Sequence, residues 1–133
     1  MGIDIVDLDE FRSGPAAEDS GRFFLSGEVE YARTQARSWE SLAARLAAKR
    51  AVMRALGVAS CVAGGDGSSD ELLAAPAWHE VEILRQESGE VDVRLRRGAL
   101  AAARSLGVSA CSLSISHTRR TAIAVAILED GRP

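Results

Sequence analysis

Four cations between residues 45 and 54 are the side chains of this sequence best placed to handle a phosphate group. Arg45, Lys49, Arg50 and Arg54 lie on one expected helix, and a basic helix can receive phosphates. The same pattern also suits a solvated face, or internal pairing with acids elsewhere. Asp4 lies in the apolar strand-like stretch GIDIVDL (2–8). A carboxylate there is expensive unless it is paired with a cation or bound to a metal, and the sequence leaves both open. His117, in SISHT, stands at a strand end, as a hydrogen-bonded structural residue or as a proton carrier. The stretch 59–71 (ASCVAGGDGSSDE) is Gly-rich and follows a helix. It matches no phosphate-loop or dinucleotide fingerprint, and it reads as a connector.

Charge is unevenly placed around these residues. Residues 1–30 hold eight acids against Arg12 and Arg22, and residues 31–57 hold six bases against Glu40 alone. The whole chain of 133 residues carries a net charge of only −3. Its length allows one domain with a real core. No apolar run approaches a membrane span, no secretory signal precedes the first strand, and the balance does not suggest nucleic acid. Two cysteines, Cys61 and Cys111, make neither a disulfide framework nor a zinc site. The expected location is the cytoplasm.

The elements that must carry these residues follow from periodicity and punctuation. GIDIVDL reads as a strand, and 9–21 is turn-rich with room for a brief helical turn. Residues 26–37 suit a helix with Ser26 as its N-cap. A longer helix starts near Ser38 or Ser41 and ends at Leu56, with Leu42, Leu46, Met53 and Leu56 as its apolar stripe and Gly57 as its stop. Residues 77–97 read as a hairpin around Ser88-Gly89. Residues 98–107 form an Ala-rich helix. Residues 109–129 form two strands joined at Thr118–Arg120, the second a buried-looking run. Together they predict one α+β domain over 1–133, an antiparallel sheet packed on a long helix.

In their order, GIDIV (2–6), FLSGEVEYA (24–32), SLAARLAAKRAVMRALG (41–57), WHEVEI (78–83), ESGEVDVRL (87–95) and SLSISHTRRTAIAVAI (112–127) resemble the holo-acyl-carrier-protein synthases. These are the small members of the 4′-phosphopantetheinyl transferase superfamily. The resemblance covers nearly the whole chain. It implies transfer of the phosphopantetheine arm of coenzyme A to a serine of an acyl or peptidyl carrier protein, as in fatty acid or polyketide biosynthesis, with adenosine 3′,5′-bisphosphate leaving. It further implies a homotrimer with sites between subunits, catalytic roles for Asp4, Lys49 and His117, and a coenzyme A site formed by Arg45, Lys49, Arg50, Arg54 and Gly65. Magnesium would be held by Asp4 and by a glutamate on the long helix.

Two positions depart from that pattern. The helix motif usually reads AAKEA; here it is AAKRA, so Arg50 stands where the metal-binding glutamate belongs. A guanidinium has no lone pair to offer a metal. The family also commonly presents an arginine to the acidic helix of its carrier from the region that here reads DLDEF, and Glu10 lies near that place. Two readings follow. In the first, the protein is a transferase in which Arg50 replaces part of the metal's charge. In the second, it is a non-catalytic homologue that binds a carrier or another biosynthetic partner, with an Asp4–Arg50 ion pair in the metal's place.

Overall fold

The computed structural model describes residues 1–57, 78–86 and 88–130. Strand β1 (Gly2–Asp7) is followed by three short helices, α1 (Leu8–Ser13), α2 (Pro15–Glu18) and α3 (Ser20–Phe23). Helices α4 (Ser26–Arg33) and α5 (Ser38–Leu56) come next. The hairpin β2 (Val81–Arg85) and β3 (Val91–Leu95), the helix α6 (Arg97–Ser105) and the strands β4 (Ala110–His117) and β5 (Thr121–Glu129) complete the order. Two antiparallel sheets result, one in the order β1-β5-β4 and a separate β2-β3 pair.

Helix α5 is the axis of the molecule. It starts at Ser38 and stops at Gly57, whose φ of 81° is the left-handed conformation that favours glycine at a helix end. It is buried on nearly every side rather than along one stripe. Ala43, Ala47, Ala48 and Ala51 of α5 and Ala122, Ala124 and Ala126 of β5 are almost fully enclosed, so small side chains bring helix and sheet close together. Gly2 shows how close. A Cβ there would collide with the Ala51 carbonyl oxygen and stand 2.8 Å from the Ala55 nitrogen.

The expected elements form, with instructive differences. The segment 9–21 holds three helical pieces rather than one turn, the first capped by Asp7, whose carboxylate accepts from the Glu10 N–H at 3.0 Å. Ser26 is the first residue of α4 and not its cap. The N-cap is Leu25, whose N–H donates to Glu28 Oε1 at 2.8 Å. Strand β5 is not buried throughout. Its alanines face α5, while Ile123 and Ile127 face outward with Ile3 and Ile5 of β1. On β1 the alternation places Asp4 on the buried side and the two isoleucines on the exposed side. Cys111 is half-buried, and burial pushes its thiol up from the usual range. Cys61, Gly65 and the Gly-rich stretch lie outside the described residues.

Candidate active site

The cations of α5 diverge in pairs, because successive residues turn about 100° around a helix. Arg45 and Lys49 face α4 and β2. Arg50 and Arg54 face β1. His117 ends β4 on the α5 side of the sheet. These residues therefore make two clusters and a cavity wall rather than one compact site.

Lys49 belongs to the core. It is fully enclosed, and its ammonium donates to Trp78 O at 2.6 Å and Val81 O at 2.7 Å and pairs with Glu28 Oε1 at 2.8 Å. Those three contacts match its three protons. Glu28 is equally closed: Oε1 also accepts from Leu25 N–H, and Oε2 accepts from Ile83 N–H at 3.1 Å. The pair ties α4, α5 and β2 together. Burial pulls the Lys49 pKa down, with Glu28 opposing it. All three protons of the Lys49 ammonium are thus spent on protein acceptors, which leaves the expected phosphate contact without a free donor. Its partner was missed because Glu28 sits 21 residues upstream and its helix-starting place explains it adequately in the sequence.

Asp4 lies on the other side of α5. Its Oδ2 is 3.3 Å from Arg50 Nε and its Oδ1 is 3.2 Å from Arg54 Nη2. The carboxylate is buried, while the arginine side chains remain 26% and 35% exposed. Burial raises the Asp4 pKa; Arg50, Arg54 and the Ile5 N–H pull it back only in part. The expected Asp4–Arg50 ion pair is present, and Arg54 joins it.

These residues do not fit magnesium. Both oxygens of Asp4 face guanidinium groups, and a dication bound there would be repelled by two close positive charges. No group of three or more metal-ligating side chains occurs among the described residues.

Arg45 and His117 share a cavity of about 590 Å³ lined also by Tyr31, Arg37, Glu40 and Arg85. Arg45 stacks over the Tyr31 ring at 4.4 Å and donates to Ser41 Oγ at 2.9 Å. Burial lowers its pKa, opposed chiefly by Glu28. His117 is 44% exposed, with Nδ1 3.7 Å from Glu40 Oε2, and Arg37 lies 3.7 Å from the other oxygen of that carboxylate. Glu40 and Tyr31 were not singled out in the sequence. An acid in the first turn of a helix and a lone tyrosine carry no signal until β4 is placed opposite them.

An α+β domain with an antiparallel sheet laid on one long, cation-bearing helix, and a carboxylate on the strand beneath it, defines the class of small phosphopantetheinyl-transferase-like folds. No family model matches the chain. It is 35% identical over 130 residues to the holo-[acyl-carrier-protein] synthase of Moorella thermoacetica, covering 96% of this chain and 91% of that one. It is 37% identical over 132 residues to the enzyme of the same name from Chlamydia trachomatis serovar L2, covering 97% and 98%. Among solved structures, the Chronobacterium ammoniagenes ACPS–CoA complex superimposes with a TM-score of 0.71 at 27% identity, over 98% of this chain and 96% of that chain. The chain belongs to the holo-[acyl-carrier-protein] synthase family.

Proposed function

We propose that this protein is a 4′-phosphopantetheinyl transferase acting on coenzyme A and the serine of an acyl carrier protein. The observation that carries the reading is the similarity along nearly the entire chain to holo-[acyl-carrier-protein] synthases. The serine oxygen attacks the phosphorus that bears the pantetheine arm. The bond from that phosphorus to the bridging oxygen breaks, adenosine 3′,5′-bisphosphate leaves with the electron pair, and the serine proton is lost.

The chain's own residues divide this work. Arg45, over Tyr31, offers guanidinium donors at the cavity wall, and Arg50 and Arg54 offer charge beside β1. Gly65 belongs to the segment expected to approach the nucleotide. His117, held toward Glu40, stands ready to accept the serine proton at a ring nitrogen. Asp4 and Lys49 act as positioning residues: Asp4 aims the two arginines, and Lys49 holds α5 against α4 and β2.

The assembly we favour is a homotrimer. Ile3, Ile5, Ile123 and Ile127 form an exposed apolar patch on the sheet face turned away from α5, and such patches mark association surfaces. Because His117 and the Asp4 cluster lie apart in one protomer, a neighbour's residues would complete each site. Ile123→Glu should convert the trimer to monomers in light scattering; an unchanged mass would remove this face from the interface.

The deciding experiment is intact-mass spectrometry of apo-carrier proteins incubated with this protein and coenzyme A. A phosphopantetheine mass gain is expected. The Asp4–Arg50 pair also suits a non-catalytic homologue that binds a carrier protein, and no gain on any carrier beside an active control enzyme would favour that second reading.

A further inference from the structure

The transfer needs positive charge where the pyrophosphate bond breaks, and the residues around Asp4 do not fit a divalent cation. We propose that Arg50 and Arg54 are themselves the pyrophosphate site, so that this chain takes up coenzyme A without a divalent cation. The identity of the ligand rests on the transferase reading above; the geometry that receives it does not.

Asp4 is a single buried carboxylate between two guanidiniums, with one oxygen turned to each. The trio keeps a net positive charge and is held in place before any ligand arrives. Arg50 comes nearest to Asp4 through Nε, which is buried, while the side chain as a whole is 26% exposed, so the outer, η edge of its guanidinium is the part open to a ligand. That outer edge is the part of a guanidinium that grips phosphate oxygens two at a time. Arg54 spends Nη2 on Asp4 and reaches Ile3 O only at 3.5 Å through Nη1. The Nε atoms of both arginines are buried and lack an aligned acceptor. Both side chains nevertheless reach the surface. Arginines used only to neutralise Asp4 would not need a second guanidinium with donors to spare.

The surroundings set the direction of approach. Asp7 and Glu10 line the adjoining cavity of about 200 Å³ beside Arg50. Asp7 turns one oxygen to the N-terminus of α1, and both acids repel an anion from that cavity. An incoming pyrophosphate therefore meets the pair from the Arg54 side. Replacing a metal by guanidinium also changes specificity: fixed donors select phosphate oxygens, whereas a metal takes any hard oxygen ligand.

The test is calorimetric titration of the full chain with coenzyme A, and separately with inorganic pyrophosphate, in EDTA and in magnesium. The wild-type protein should bind both in EDTA, with affinity for coenzyme A changed by less than about twofold by magnesium. Arg50→Ala should lose roughly 10- to 100-fold in EDTA, as expected for hydrogen bonds to a charged group. Arg50→Lys should recover only part of it, since the ammonium keeps charge without the fork. Circular dichroism confirms that each variant is folded. A wild-type affinity that rises tenfold or more with magnesium, or an Arg50→Ala affinity equal to wild type, would overturn the proposal. The transfer assay separates the two ideas. Metal-free, Arg50-dependent binding without phosphopantetheine transfer leaves the anion site standing and removes the enzyme. Transfer that requires magnesium keeps the enzyme and removes the anion site.

Discussion

Lys49 and Arg50 are neighbours in sequence and sit in opposite kinds of ion cluster. Lys49 and Glu28 are shut inside the protein, and every proton of the ammonium has an acceptor. Asp4 is just as buried, yet its arginines reach the surface with donors unused. Enclosure with every bond made is what architecture requires, because an unpaired buried charge is costly. Enclosure on one side with spare donors on the other is what a receptor for an anion requires. One step along a helix separates the two, so closeness in sequence says little about shared purpose here.

The sharpest way to break this contrast is to remove each cation in turn. Lys49→Met leaves Glu28 as a buried carboxylate without its counter-ion and should cost roughly 3–5 kcal/mol in urea denaturation. Arg50→Met leaves Asp4 with Arg54 and should cost about 1 kcal/mol or less. Equal losses would erase the distinction.

A smaller effect is expected at the seam between helix and sheet. Gly2→Ala adds a methyl group where the Ala51 backbone already stands. It should destabilise the fold by roughly 1–3 kcal/mol and, by moving Asp4 off its arginines, also weaken coenzyme A binding. Loss of stability with intact binding would mean that Asp4 does not aim Arg50.

The pH dependence sharpens the comparison further. Asp4 has a folded pKa raised above its ordinary 3.8. Between the two values the unfolded chain has already released the proton that the folded chain retains. Asp4's contribution to stability is therefore greatest below 3.8 and is lost as pH rises through the folded value. Asp4→Asn should remove that decline from denaturation curves taken across mild acid. The least effect should come from salt. The arginines of the Asp4 cluster reach solvent and are screened, and the closed Glu28–Lys49 pair is not, so added salt should narrow the stability gap between wild type and Arg50→Met but not that for Lys49→Met.

The sequence carried the elements well and their faces poorly. Helix α5 from Ser38 to Gly57 and the hairpin at Ser88-Gly89 were readable because periodicity and turn residues are local signals. The outward turn of Ile3, Ile5, Ile123 and Ile127 was not. Alternation gives two faces, and only packing decides which one meets α5. The charge reversal at residue 50 was visible once the helix motif had been matched, and it pointed correctly to Asp4. Arg54 as a second partner, Glu28 on Lys49 and Glu40 beside His117 all depend on long-range contacts that no window of sequence contains.

The pairing of the first strand with the last has a consequence for how this protein comes into being. Asp4 lies opposite Ala124, so about 120 residues must be made before β1 has a partner. Contacts this distant close slowly. A chain still emerging from the ribosome holds its isoleucine-rich β1 without a sheet to join, and a copy cut short before β5 has α5 but no bed for it. The sheet that carries Asp4 is thus completed only once β5 has been made.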